Sequence, residues 1–88
     1  LLKVNSKAGK NIVYAGADDE GNGLLKVNSS TGEQSIYLGS GARGNGFLIG
    51  GNNKTGETVV ELYADDYGNG YVGAFDRKGK GRTLTPGP

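Results

Sequence analysis

Cysteine, histidine, methionine and tryptophan are all missing from this chain of 88 residues, and proline occurs only twice. Without Cys or His there is no thiol nucleophile, no His-based triad and no zinc or haem site of the usual ligand sets. The lack of cysteine leaves the redox compartment open. Apolar residues are scarce as well, at 34%, below the usual share for a globular domain. No apolar stretch approaches the roughly 20 residues that span a bilayer, so no membrane span is expected, and no signal peptide is visible. Charge of one sign is also lacking: 10 basic against 9 acidic residues give a net charge of +1. That balance lacks the electrostatic footprint that nucleic-acid binding needs. The chain opens on Leu1 in the middle of a repeat phase, which reads as a processed or excerpted segment.

What is abundant is glycine, at 18 of the 88 residues, and it recurs in phase. LLKVNSKAGKNIVYAGADDEGNG is followed by LLKVNSSTGEQSIYLGSGARGNG, then FLIGGNNKTGETVVELYADDYGNG, then the shorter YVGAFDRKGKGRTLT. Aligned on Gly9, Gly32, Gly56 and Gly79, the blocks are spaced by 23, 24 and 23 residues. A period of this size signals an architecture in which each unit buries its face against the next. The units run 1–23, 24–46, 47–70 and 71–85, one tandem β-repeat domain over 1–85, followed by a Pro-Gly-Pro terminator at 86–88. In-phase glycine with periodic apolar residues argues against disorder, and no Gly-X-Y triplet supports collagen.

Two turn signals divide each block. The G-N-G triplets place Asn22-Gly23, Asn45-Gly46 and Asn69-Gly70 where a hairpin is expected, because both residues tolerate positive φ. The other connections, from Asn5 to Gly9, Asn28 to Gly32 and Asn52 to Gly56, fit a type I turn followed by a left-handed glycine. The strands expected between them are 1–5, 11–17, 24–28, 34–40, 47–51, 57–64, 71–76 and 81–85. Glycine punctuates too often for a helical stripe, so the fold class is all-β: about eight short strands with tight Gly/Asn turns and no helix, wound as a β-solenoid or an intertwined β-helix-like shaft.

Alternation assigns the faces. Val13-Ala15-Ala17, Ile36-Leu38-Ser40 and Val60-Leu62-Ala64 align, as do Leu2-Val4, Leu25-Val27, Leu48-Gly50 and Val72-Ala74; these columns are expected inside. The opposite face carries Leu1, Leu24, Phe47 and Tyr71 in one column and Ile12, Tyr14, Tyr37 and Val59 in another. Stacked apolar columns call for a partner, and these eight residues form the expected assembly interface between copies of the chain. The one extra residue of the third block, around Ile49-Gly50-Gly51, reads as a β-bulge.

The chemistry-bearing motifs are few. Asp18-Asp19 and Asp65-Asp66 precede G-N-G triplets in a calcium-loop-like run, but block two has Ser40-Gly41-Ala42-Arg43 there, and hydrogen bonding of Asp to turn backbone explains the pairs without an ion. Asn28-Ser29-Ser30 and Asn53-Lys54-Thr55 match the glycosylation pattern in expected turns, a match that turn chemistry alone also explains. The run Lys78-Gly79-Lys80-Gly81-Arg82 reads as a solvated turn. No catalytic, cofactor-binding or metal residue is singled out, and no enzyme activity or cofactor is expected.

The rhythm G-N-G-x-L/V-x-V-x-N/D-x-x-G-K/E, spanning essentially the whole chain, resembles tandem Gly-Asn-Gly β-repeats of bacterial surface proteins and phage tail-fibre shafts. The resemblance implies a structural role: a stalk, fibre or adhesin shaft, extracellular, at the cell surface or on a virion, assembled from copies of itself as a trimer or filament. Motifs of this kind carry no catalytic residues. The alternative is a surface module whose tyrosine-bearing face binds glycans or a protein receptor, with Tyr14 and Tyr37 in register at the block spacing.

Overall fold

The computed structural model describes residues 1–40 and 46–86. The expectations placed on 41–45, Asn45 among them, and on 87–88 lie outside the described residues. Eight strands follow one another: β1 (Leu2–Asn5), β2 (Asn11–Ala17), β3 (Gly23–Asn28), β4 (Gln34–Ser40), β5 (Phe47–Asn52), β6 (Thr58–Ala64), β7 (Gly70–Phe75) and β8 (Gly81–Leu84). Each lies within two residues of the strand read from the sequence at either end, and no helix occurs among the described residues. Branched and aromatic residues dominate the strands while glycine, Asp, Asn and Ser dominate the connections, so local preference and observed state mostly agree, the exceptions being strand glycines such as Gly16, Gly39, Gly50 and Gly73.

All eight strands form one antiparallel sheet in the order β1-β2-β3-β4-β5-β6-β7-β8. The blocks lie side by side in the plane of this sheet and do not wind into a solenoid or shaft within the single chain. Its dimensions are 50 × 30 × 15 Å, with a radius of gyration of 14.4 Å. A compact domain of this length has a radius nearer 12 Å, so the molecule is a spread single layer. No hydrophobic side chain is fully buried among the described residues.

The turns share one construction. Gly9 N–H donates to the Ser6 carbonyl at 2.9 Å and Ser6 N–H to the Lys10 carbonyl at 2.8 Å. With Gly9 at φ 82°, this is the expected type I turn closed by a left-handed glycine. The first and third G-N-G connections turn out to be the same device, not two-residue Asn-Gly hairpins. Gly21 N–H donates to the Asp18 carbonyl and Asp18 N–H to the Asn22 carbonyl, with φ 88° at Gly21. Asn22 and Asn69 therefore sit at the turn exits, and Gly23 and Gly70 are the first residues of β3 and β7. The Asp at each turn start explains the difference: Asp18 Oδ1 accepts from Glu20 and Asn22 N–H, both at 2.9 Å, and sets the type I bend three residues earlier, at Asp19 and Glu20. Gly46 does have positive φ, at 68°.

Three hairpins carry a one-residue register shift at the same place. Val4 faces Val13 but Asn5 faces Asn11; Val27 faces Ile36 but Asn28 faces Gln34; Gly51 faces Val60 but Asn52 faces Thr58. Ile12, Ser35 and Val59 are thus the unpaired extra residues of three β-bulges.

The additional residue of the third block is not a bulge at Ile49-Gly50-Gly51. Pairing of β5 with β4 is regular from Ile36–Gly51 to Ser40–Phe47. Ser40–Phe47 encloses six residues, whereas Ala17–Gly23 and Ala64–Gly70 each enclose five. The insertion falls before β5, so the parity of that strand is reversed relative to a block alignment. Ile49 and Gly51, not Leu48 and Gly50, continue the aliphatic columns. Phe47 joins that face too, and Leu48 takes the outer position expected for Phe47.

Candidate functional site

On one face of the sheet the register builds two apolar rows across the strands. The first runs Leu2, Ala15, Leu25, Leu38, Ile49, Leu62, Val72 and Leu84; the second runs Val4, Val13, Val27, Ile36, Gly51, Val60, Ala74 and Arg82. These are the columns expected to be interior, with the third-block correction, yet no other described element covers them. Leu38 is 44% exposed, Val60 42% and Leu2 56%. One charged side chain, Arg82, ends the second row at the β8 edge.

The opposite face is mixed. One row reads Lys3, Tyr14, Lys26, Tyr37, Gly50, Glu61, Gly73 and Thr83. The next reads Gly16, Leu24, Gly39, Leu48, Tyr63 and Tyr71, and Leu1 reaches over Gly16 from the chain start. The apolar columns expected here as an assembly stripe are therefore not continuous. In a stack of blocks, Leu24 would meet the equivalent residue of the next block. In this meander its neighbours come from the other strand of each block, and those are Gly16 and Gly39. Phe47 lies on the other face, and Ile12 and Val59 are bulge residues.

The tyrosines occupy defined places. A Cβ added to Gly16 would meet the Tyr14 hydroxyl at 3.0 Å and its ring at 3.2 Å; one added to Gly39 would meet the Tyr37 ring at 3.2 Å. Each ring thus leans along its own strand over the glycine two residues on, an aromatic cover for a bare stretch of backbone. Lys3 Nζ lies 6.0 Å from the Tyr14 ring centroid, at the outer range of a cation–π contact. Farther along, Tyr63 and Tyr71 face each other across β6 and β7 with centroids 4.2 Å apart and planes at 26°. Desolvation first, then the neighbouring Tyr63 and Glu61, holds the Tyr71 phenol above its ordinary pKa.

Between Tyr14 and Tyr37 the mixed face forms a trough of about 540 Å³. Its floor is Leu24, Lys26 and Asn28 of β3, and its walls are the two tyrosines from β2 and β4. Asp18 and Asp19 close one end, and Asn11, Gln34 and Gly32 the other. Block three does not repeat this arrangement, because Gly50 and Glu61 stand where Lys26 and Tyr37 stand in block two.

Asparagine has a role that its turn-forming reputation conceals. Asn28 Nδ2 donates to the Asn11 carbonyl at 2.9 Å, and Asn52 Nδ2 to the Gln34 carbonyl at 3.2 Å. In both hairpins the amide extends the ladder past the point where a bulge has bent the neighbouring strand away. This nitrogen of Asn28 is the atom a glycan would join, so at Asn28 the glycosylation pattern coincides with a structural amide. In the second such pattern, Asn53 Oδ1 accepts from Thr55 and Glu57 N–H at 3.1 and 3.0 Å.

The acidic pairs are used the same way. Asp65 Oδ1 accepts from Tyr67 and Asn69 N–H at 3.0 and 2.8 Å, matching Asp18, while Asp19 and Asp66 are exposed. No group of three or more acidic residues able to hold a metal ion occurs among the described residues. Asp76 Oδ1 binds Lys78 and Lys80 N–H at 2.9 and 3.0 Å, which makes the basic run 78–82 a turn entering β8. No helix among the described residues is long and apolar enough to cross a membrane. No protein-family model, curated protein or solved structure was found to match the chain.

Proposed function

We propose that the chain is a self-assembling structural module whose copies pack aliphatic face to aliphatic face, as a building unit of a fibre, stalk or surface shaft. The observation that carries this reading is the uncovered aliphatic face. A globular protein of 9.1 kDa exposes about 4,900 Å² by the usual scaling, whereas this chain exposes 6344 Å². The surplus of roughly 1,400 Å² exceeds the ~800 Å² that each partner contributes to a stable interface. That surplus belongs to the whole spread layer, whose contiguous apolar part is the aliphatic face, and large uncovered apolar patches on soluble proteins mark contact surfaces.

Face-on packing is favoured over edge-to-edge growth. The two edge strands, β1 and β8, are only 4 residues long each, and Arg82 on β8 belongs to the aliphatic face. Short edges and inward charges are the devices that discourage strand addition. Two or more sheets turned inward on these faces, about 10 Å apart, would enclose a dry seam with the mixed faces outward. The resemblance to tandem Gly-Asn-Gly shaft repeats supplies the class of assembly and an extracellular or virion setting.

Native mass spectrometry across a concentration series tests the reading. A dimer or larger oligomer is expected, and Leu38→Lys with Val60→Lys should dissolve it while Tyr37→Lys on the opposite face leaves it in place. A folded, strict monomer at millimolar concentration would sink the proposal.

A further inference from the structure

We infer that the trough over β3 is a carbohydrate site that binds a neutral oligosaccharide across the Tyr14 and Tyr37 rings. The two residues face Lys26 from either side in the cross-strand register. Their backbones are therefore two strand spacings apart, about 9.5 Å, with Lys26 on the strand between, and each ring leans over the glycine two residues on. The pair flanks β3 as two aromatic platforms across which a sugar chain can lie.

Its chemistry selects among six-membered rings. A pyranose combines apolar C–H faces, which suit tyrosine, with a rim of hydroxyl groups that both donate and accept. The trough offers Lys26 as a donor, Asp18 as an acceptor at one end, and the Asn28 side-chain oxygen, whose nitrogen is already committed to Asn11. Among the lining residues the carboxylates of Asp18 and Asp19 outnumber the ammonium of Lys26, a balance that does not select a polyanion. A purely apolar ring would leave these polar groups to be desolvated without partners, which is costly. The volume of about 540 Å³ lies within the usual range for ligand sites. The trough runs along β3 and is open above, as a chain needs if its other residues are to continue past the two rings. Because the site lies on the mixed face, it does not depend on what covers the aliphatic one.

The test is a titration followed by amide chemical shifts, with maltohexaose, cellohexaose and chitohexaose as neutral probes and a heparin hexasaccharide as the acidic one. At least one neutral probe should perturb β2, β3 and β4, and binding should weaken by about tenfold or more in Tyr14→Ala and Tyr37→Ala. Tyr14→Phe and Tyr37→Phe should retain most of the affinity, and both keep the cover over Gly16 and Gly39 if the alanine variants unfold. Tyr67→Ala, at a residue 90% exposed and far from the trough, should change nothing. The inference is overturned if no neutral probe binds at about 10 mM, if binding ignores the phenylalanine and alanine changes alike, or if only the heparin probe binds and salt removes it.

Discussion

Asn28 lies where β2 bends away at the Ile12 bulge, and its amide makes the bond to Asn11 that the backbone ladder can no longer make. A part-buried hydrogen bond of this kind contributes about 1 kcal/mol net, and more when its loss leaves a carbonyl unsatisfied. Asn28→Ala should therefore cost about 1–2 kcal/mol in urea unfolding, whereas Asn28→Asp, which cannot donate, should be no better than alanine. Nothing in the one-dimensional pattern separates this amide from a turn-starting asparagine: the spacing from Asn28 to Gly32 fits a type I turn, and the turn in fact starts one residue later, at Ser29. The roles of Asp18 and Asp65 were easier to read, because Asp hydrogen bonding to turn backbone is a local effect complete within five residues.

At the level of strands and turns, the period-2 alternation and the punctuation by glycine located all eight strands to within two residues, since both are local preferences. What could not be read locally was parity after an insertion. One residue added between Ser40 and Phe47 flips β5, which moves Phe47 across the sheet and brings Leu48 into the outer row. Its position relative to the strand is invisible when FLIGG is simply aligned with LLKVN. The turn type was likewise ambiguous, because D-D-E-G-N-G holds an Asp-x-x-Gly turn directly followed by an Asn-Gly pair, and the Asp side chain decides. The glycine that carries the left-handed conformation is then Gly21, at φ 88°. Gly21→Val should destabilise the chain by about 1–2 kcal/mol, the cost of a side chain in that region, and Gly21→Asn by clearly less, since Asn tolerates it. If the Asn-Gly pair were the turn centre, Gly23→Val would be the more damaging change; in the sheet Gly23 is an exposed strand residue with only the Gly16 carbonyl, at 4.0 Å, near an added Cβ.

For the molecule as a whole, the sequence pointed to a covered aliphatic interior and an outer surface that needed partners, and the sheet reverses these roles. The aliphatic rows are the surface without a cover, and the tyrosine face is cut into separate features by lysine and glycine. The reversal stems from topology, which a repeat period does not specify. Blocks of about two dozen residues can stack as coils or lie flat as hairpins, and the same inward column is buried in the first case and bare in the second. The candidate trough was legible only as far as the register of Tyr14 with Tyr37, because Lys26 between them comes from the neighbouring strand.

The sequential strand order also governs how the chain answers to load. Each strand touches chiefly the strands before and after it, so tension applied through the two ends can peel hairpins away singly, with no distant contact to be broken first. A sheet 50 Å in its longest dimension holds a contour of about 300 Å at full extension. Stretched singly in an optical trap, the chain should lengthen in small, low-force increments of one hairpin each, and refold readily because its contacts are local. A single sheet of this kind would behave as a compliant tether that absorbs a pull and recoils, and packing of its aliphatic face against another copy would stiffen it.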